Sequence, residues 1–438
     1  MFQFFGNSFF NFEAIRIVGM AGSGGAEIAE CLDAVGCIRE NDPTSWHRAW
    51  SEQAEWAKQV AREAQRDGNR TAARMAFLRA SNYTRASAYM MTGVQLGNSD
   101  SRVISLLRES SALFASALEL FDTPVKALRI PYPYSHRDGD KEVFLPAYLH
   151  LPLPACRLPG KIPLLISQGG ADSIQEEQYY MFPSAGPGLG YAVLTFDGPG
   201  QGSVLHEHDI PMRADWEVVI DRVLAYLADY SRTHPGLELD LDRIAIAGAS
   251  LGGYFALRAA ADQRIKACVA IDPMYDFYEF GAKRVAPTFF RLWDGGWIPD
   301  CVVNSIVTLG TRLSFQSRWE IFTSARFLGA TTPVGLLRRM QGYTFHAGHS
   351  NTTIDSRTGY LDRVKCPVLV TGAAQSLYFD VADHTAAVIR GIREAEKECW
   401  TAERPGQGGL QAKMGAVALC NQRVFAFLDR VYHIERSL

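Results

Sequence analysis

One serine is set where a hydroxyl could attack a carbonyl. Ser250 stands in Gly248-Ala249-Ser250-Leu251-Gly252-Gly253, directly after the apolar run Arg243-Ile244-Ala245-Ile246-Ala247. That order reads as a buried strand, a sharp turn and a helix, with the hydroxyl at the apex. Small residues on both sides suit such a turn, because the backbones approach closely and the turn uses conformations that cost glycine little. Chemistry on a carbonyl also needs backbone N–H groups aimed at the oxygen that becomes negative. One donor is expected from Leu251. The other is expected from Gly170 or Ala171, in the string Gln168-Gly169-Gly170-Ala171-Asp172. A third glycine-rich string, Asp197-Gly198-Pro199-Gly200-Gln201-Gly202, reads as a tight structural turn whose glycines let the backbone approach a pocket.

These strings need elements to hold them. From about residue 43 to 122, alanines, leucines and aromatics recur at helical spacing, as in Trp46, Trp50 and Trp56 or Ala73 and Phe77. This is an all-α N-terminal region whose aromatic stripes read as packing faces. Asp42-Pro43-Thr44 is a helix start signal, and Gly93 with Gly97-Asn98-Ser99-Asp100 marks a break. From about residue 123 the period changes. Residues 126–132 and 143–150 look like a leading antiparallel pair. Short buried strands then alternate with helical segments at 162–167, 192–196, 243–247, 267–271, 367–371 and 398–402, the pattern of a doubly wound, mostly parallel sheet. Too many residues separate Ile271 from Pro367 for one crossover. That insert carries Phe277, Phe280, Phe290 and Trp293 and reads as a helical cap over the carboxyl edge of the sheet, where such folds bind ligands. The expected division is a helical region at 1–122, a core at 123–272 and 361–438, and a cap at 273–360.

The chain has 438 residues, 47% of them hydrophobic and 21% charged, which suits a globular enzyme with a sizeable core. A net charge of -3 gives no electrostatic reason to expect nucleic acid or an anionic membrane as partner. No apolar run is long enough for a membrane span, and the N-terminus lacks the basic start of a signal peptide, so a cytoplasmic protein is expected. Eight cysteines without CxxC spacing, several in apolar runs (Cys268, Cys366, Cys399), read as reduced, buried thiols. No cofactor motif is found. The string from Gly19 to Glu27 fails the GxGxxG frame and reads as a turn before a helix. His206-Glu207-His208-Asp209 is a polar loop rather than a metal site.

Taken together, the helical N-terminal region and the three glycine-rich strings resemble one α/β-hydrolase group. The group contains the fungal polyketide-shortening hydrolases of pigment pathways and the bacterial dihydroxypseudooxynicotine hydrolase, with the α/β-hydrolase-like enzymes of cytochalasan- and fusarin-type clusters. The resemblance implies an α/β-hydrolase fold, a small-molecule polyketide or polyketide–peptide substrate, and a Ser/Asp/His triad under the cap. Its helical N-terminal region is compatible with a homodimer. The serine maps to Ser250 and the acid to Asp380, with Asp272 and Asp276 as alternatives. The histidine should follow the last core strand, in chain order after the acid, and falls at or near Gly409, where no histidine stands. His384 and His433 are poorly placed to replace it, whereas His346 and His349 of the cap could enter a pocket. Without a base, a serine alcohol is a weak nucleophile. The reading therefore leans to cyclisation or condensation, with the oxyanion donors stabilising an enolate or alkoxide and Asp276, Tyr275 or Asp380 shuttling protons. The alternative is a serine hydrolase cleaving a C–C, ester or thioester bond.

Overall fold

Seven consecutive interior residues, Ile162–Gln168, are buried along their whole length, as a strand covered on both faces must be. In the computed structural model, which describes residues 3–93, 96, 100–136, 139–346 and 359–436, this segment is the third strand of an eight-stranded sheet. The strands are β1 (Val125–His136), β2 (Gly139–His150), β3 (Ile162–Gln168), β4 (Ala192–Phe196), β5 (Leu239–Ala249), β6 (Ile265–Ile271), β7 (Val368–Ala373) and β8 (Lys397–Ala402). Their spatial order is β1-β2-β4-β3-β5-β6-β7-β8. β1 pairs antiparallel with β2, and β2 antiparallel with β4; all other pairs are parallel. Every strand expected from the sequence is present, within a few residues at its ends.

The order reverses between β3 and β5. β3 is followed by β4 on one side, and the chain then returns to lay β5 on the other, with Gln168 beside Gly248. A crevice at such a reversal is where an open α/β sheet binds its ligands. The loops after β3 and β5, which carry the first two glycine-rich strings, both open into it.

Ahead of the sheet run α1 (Ser8–Val18), α2 (Ile28–Cys37), α3 (Pro43–Arg66), α4 (Arg70–Tyr89) and α5 (Ser101–Leu118). Asp42 caps α3 by accepting from the N–H groups of Thr44 and Ser45, with Pro43 in its first turn, as the sequence signalled. Gly97, Asn98 and Ser99, part of the expected break, lie outside the described residues. Trp46 and Trp50 are fully buried between helices, and Trp46 donates to the Ala86 carbonyl at 2.8 Å. Trp56, expected in the same stripe, is instead half exposed, because the α3 packing face turns away from it. Likewise Cys37, Cys301 and Cys399 are exposed thiols rather than buried ones; Cys399 lies on the edge strand β8, whose residues alternate between inside and outside.

Five helices between residues 277 and 340 form the insertion after β6. The N-terminal helices pack on it: Trp319 lies against Phe9 and Tyr89 and donates to the Tyr89 carbonyl at 3.0 Å. N-terminal region, cap and sheet edge thus close over the crevice together. No helix among the described residues is long and apolar enough to cross a membrane.

Candidate functional site

The turn after β5 is strained at Ser250. Ser250 has φ 59° and ψ −122°, a left-handed conformation rare outside glycine, and its N–H donates to the Ile271 carbonyl at 2.8 Å. The helix Leu251–Ala259 begins directly after it. As the first helical residue, Leu251 has no acceptor one turn back for its N–H, and the positive end of the helix dipole lies there.

The loop after β3 is packed onto this turn from the other side. A methyl group on Gly252 would lie 2.9 Å from the Gly169 carbonyl oxygen, and one on Gly170 would lie 3.1 Å from that of Ala249. The third glycine-rich string fixes the loop: Gln201 Nε2 donates to the carbonyls of Gly169 and Gly170, both at 2.9 Å, while Gln201 Oε1 accepts from Gly198 N–H. Gly170 N–H turns toward Ser173 Oγ at 3.3 Å. Ala171 N–H has no acceptor among the described residues. Ala171 and Leu251 therefore present the two open N–H groups beside Ser250, and all three residues line one cavity of about 170 Å³.

The loop after β8 delivers no imidazole. A side chain on Gly409 would meet the Arg404 backbone at 2.7 Å, so that position holds glycine because nothing larger fits. Two residues on, Gln411 reaches the cavity wall. Its Nε2 donates to the Asp272 carbonyl at 3.0 Å and its Oε1 accepts from Ser376 Oγ at 2.6 Å. An amide has no basic lone pair at neutral pH. Lys413 then turns back under the sheet edge and pairs with Asp272 at 2.8 Å, both side chains essentially unexposed. Among the described residues no histidine lines the cavity and no side chain bonds to the Ser250 hydroxyl.

The other expected groups lie away from the serine. Asp380 is exposed and its carboxylate accepts from the N–H groups of Ala382 and Asp383, capping the turn that follows. Asp276 accepts from Glu279 N–H at 2.6 Å at the start of the first cap helix. Tyr275 is held by its backbone, donating N–H to His384 Nδ1 at 3.0 Å. None of the three lines the cavity, although their neighbours Met274, Phe277 and Phe379 do. Asp272, the other alternative acid, is committed to Lys413 and Thr371. His384 sits behind Phe379 and His346 faces Asp276 and Glu279; His349 lies outside the described residues. His206 is sunk beside Arg326, where burial pulls its imidazole down to about 4, and His208 is exposed.

Polar groups reach the cavity from an element the sequence had not marked. Glu13 and Arg16 of α1 and Tyr89 of α4 line it with Asp172 and Glu177. Arg16 Nε and Nη2 donate to the two Glu177 oxygens, each at 2.6 Å, and Nη1 donates to Asp172 at 2.7 Å. Tyr89 O–H donates to Asp172. Arg16 and Tyr89 hold the Asp172 carboxyl below its usual range, against the effect of burial. Glu13 is 3% exposed, and Arg16 Nη1 stands no closer to it than 3.4 Å. Burial pushes its carboxyl from 4.5 up to about 7. A signal was present: an acid and a base three residues apart inside the apolar run Phe9-Phe10-Asn11-Phe12-Glu13-Ala14-Ile15-Arg16 are charges with no solvent to face.

That shift has a measurable consequence. With its folded value above the unfolded one, Glu13 stays protonated in the native protein while the unfolded chain ionises, so it subtracts stability as pH rises from about 4.5 to about 7. The loss amounts to about 3 kcal/mol above that window. Glu13→Gln cannot ionise and should gain stability on the parent between about pH 5 and about pH 8, read from urea midpoints at both values. Equal differences at both would remove the shift.

Comparison with known proteins agrees with this architecture. Residues 164–410 match the model of the alpha/beta hydrolase family. Hydrolase ORFZ of Pyricularia oryzae is 49% identical over 100% of this chain and 99% of its own. Hydrolyase ccsE of Aspergillus clavatus is 48% identical, with 100% of each chain covered. The crystal structure of 2,6-dihydroxy-pseudo-oxynicotine hydrolase superimposes with a TM-score of 0.61 over 95% of each chain at 17% identity, a likeness of fold.

Proposed function

The chain belongs to the α/β-hydrolase family, and from that premise we propose that it is an enzyme of fungal secondary metabolism acting on a polyketide-derived carbonyl compound, closing a ring rather than hydrolysing a bond. One observation supports this reading: the open N–H groups of Ala171 and Leu251 share a cavity with Gln411 and with no described imidazole. Two N–H donors at Ala171 and Leu251 suit a carbonyl oxygen that becomes negative, whether in an enolate or an alkoxide. Removal of a Cα proton sends the C–H electron pair toward that oxygen. The enolate carbon then bonds to a second carbonyl carbon of the same molecule, whose oxygen takes up a proton. Addition of this kind consumes no water and needs no activated serine. The lining is mostly apolar, with Phe12, Met274, Phe277, Phe327 and Phe379 around it, which suits a large carbon-rich substrate.

A second reading, hydrolysis of a C–C, ester or thioester bond through Ser250, is favoured by the strained conformation of that residue. The two differ in one test. Intact-mass analysis after exposure to a fluorophosphonate, with Ser250→Ala as control, is expected to give no adduct on the folded parent protein, because an unactivated serine alcohol reacts several orders of magnitude too slowly. A stoichiometric adduct on the parent alone would mean an activated serine and return hydrolysis to the front.

A further inference from the structure

We propose that Glu13, brought in by the first helix of the N-terminal region, is the proton-transfer group of this carbonyl site. The inference rests on the ring-closing reading above and supplies what that reading lacks, a base within the cavity.

Four carboxyl groups line the cavity: Glu13, Asp172, Glu177 and Glu320. Three have an oxygen held by a donor within 3 Å. Glu177 accepts from Arg16 Nε and Nη2 and, at 3.3 Å, pairs with Arg85. Asp172 takes the remaining Arg16 nitrogen and the Tyr89 hydroxyl. Glu320 accepts from Gln316 Nε2 at 2.9 Å. Glu13 is left with the 3.4 Å approach of Arg16 Nη1, and its other oxygen, Oε1, stands 3.2 Å from the Tyr89 oxygen.

Burial favours the protonated form of Glu13, and the Tyr89 oxygen is placed to take its hydrogen bond. Tyr89's single hydroxyl proton goes to Asp172, the ionised and nearer carboxylate. Its oxygen accepts from Arg16 Nη1 at 3.1 Å and has one lone pair to spare. A hydrogen bond to Glu13 Oε1 then forms when Glu13 carries the proton. The carboxyl rests neutral on the tyrosine and loses that bond when it ionises. Groups facing it are Arg16 on its own helix, Arg85 and Tyr89 on α4, Asp172 and Glu177 after β3, and Tyr378 after β7. Two cations offset by the two acids Asp172 and Glu177 leave its burial nearly uncompensated, and its ionisation near neutral pH is what efficient proton transfer asks of a general acid–base.

The step balances. Glu13 carboxylate takes the Cα proton of the substrate ketone, and the C–H pair moves to the carbonyl oxygen under the Ala171 and Leu251 N–H groups. When the enolate carbon bonds to the second carbonyl, the new alkoxide takes the proton back from Glu13. The carboxylate is restored, and no atom is gained or lost.

The test follows α-proton exchange of phenylacetone, a small aromatic ketone, in D2O by NMR with the full chain. The parent protein should accelerate exchange over buffer, with a rate that rises through a carboxyl ionisation near neutrality and levels above it. Glu13→Gln should lose about 100-fold or more and the pH dependence with it. Glu13→Asp should keep that dependence at a lower rate. Glu13→Gln that is folded, equally fast and equally pH-dependent overturns the assignment of Glu13 while leaving an enolising site in place. If Glu13→Gln does not fold, Glu13→Asp with unchanged rate and midpoint overturns it instead. No acceleration by the parent protein overturns both the assignment and the ring-closing reading.

Discussion

Lys413→Met is expected to cost about 3–5 kcal/mol of unfolding free energy, because it strands a carboxylate in the interior. Lys413 has no exposed side-chain surface, pairs with Asp272 at 2.8 Å, donates to the Gly372 carbonyl at 2.9 Å and lies over the Trp400 ring. Burial already lifts the Asp272 carboxyl above its ordinary value, and Lys413 and Thr371 are what oppose it. With the ammonium gone, Asp272 keeps the Thr371 hydroxyl at 2.7 Å and the backbone N–H of Ala412, with no cation beside it. The double variant Lys413→Met/Asp272→Asn removes both charges and should recover most of the loss, since replacing a whole buried pair is far cheaper than breaking it. Urea unfolding followed by tryptophan fluorescence measures both. Equal losses in the single and double variants would place the cost in side-chain packing instead. The pair also holds the turn that carries Gln411 into the cavity wall: Ala412 and Lys413 both sit at positive φ, a backbone that persists only where surrounding contacts enforce it.

Gly248→Ala is expected to be as damaging, for a steric reason. A methyl group there would lie 2.5 Å from the carbonyl carbon of Gly252 and closer still to its oxygen. Both belong to backbone that cannot rotate aside. The strand end and the first helical turn would have to separate, taking with them the φ of Ser250 and the aim of the Leu251 N–H. A loss of about 3 kcal/mol or more, or failure to fold, is the expected result. Gly22→Ala, with nothing within 4 Å of the added methyl, should stay within about 0.5 kcal/mol of the parent and serves as the comparison. A folded Gly248→Ala protein of parental stability would show that the turn is looser than its contacts imply.

Much of this was legible in the chain itself. The change from helical spacing to short buried runs near residue 123 placed the sheet, and the glycine strings after β3, β4 and β5 placed the loops at its carboxyl edge. Period and turn chemistry are local properties, set by neighbours in sequence, so a sequence reports them directly. The absence of a histidine between Cys399 and Gln411 was visible as well.

What the sequence did not reveal depends on direction and on distance along the chain. Asp380, Asp276 and Tyr275 stand after the expected strands, yet none lines the cavity; the two carboxylates cap local turns, and Tyr275 is held through its backbone N–H by His384. Glu13 precedes Ser250 by more than half the chain and reaches the cavity because α1 docks against the loop after β3 through the Arg16–Glu177 pair. Local residue types determined the strand, the turn and the two glycine-flanked loops that meet at Ser250. Which charged groups face that junction was decided only by tertiary packing, because a side chain's surroundings are set by elements that meet in space and not in sequence.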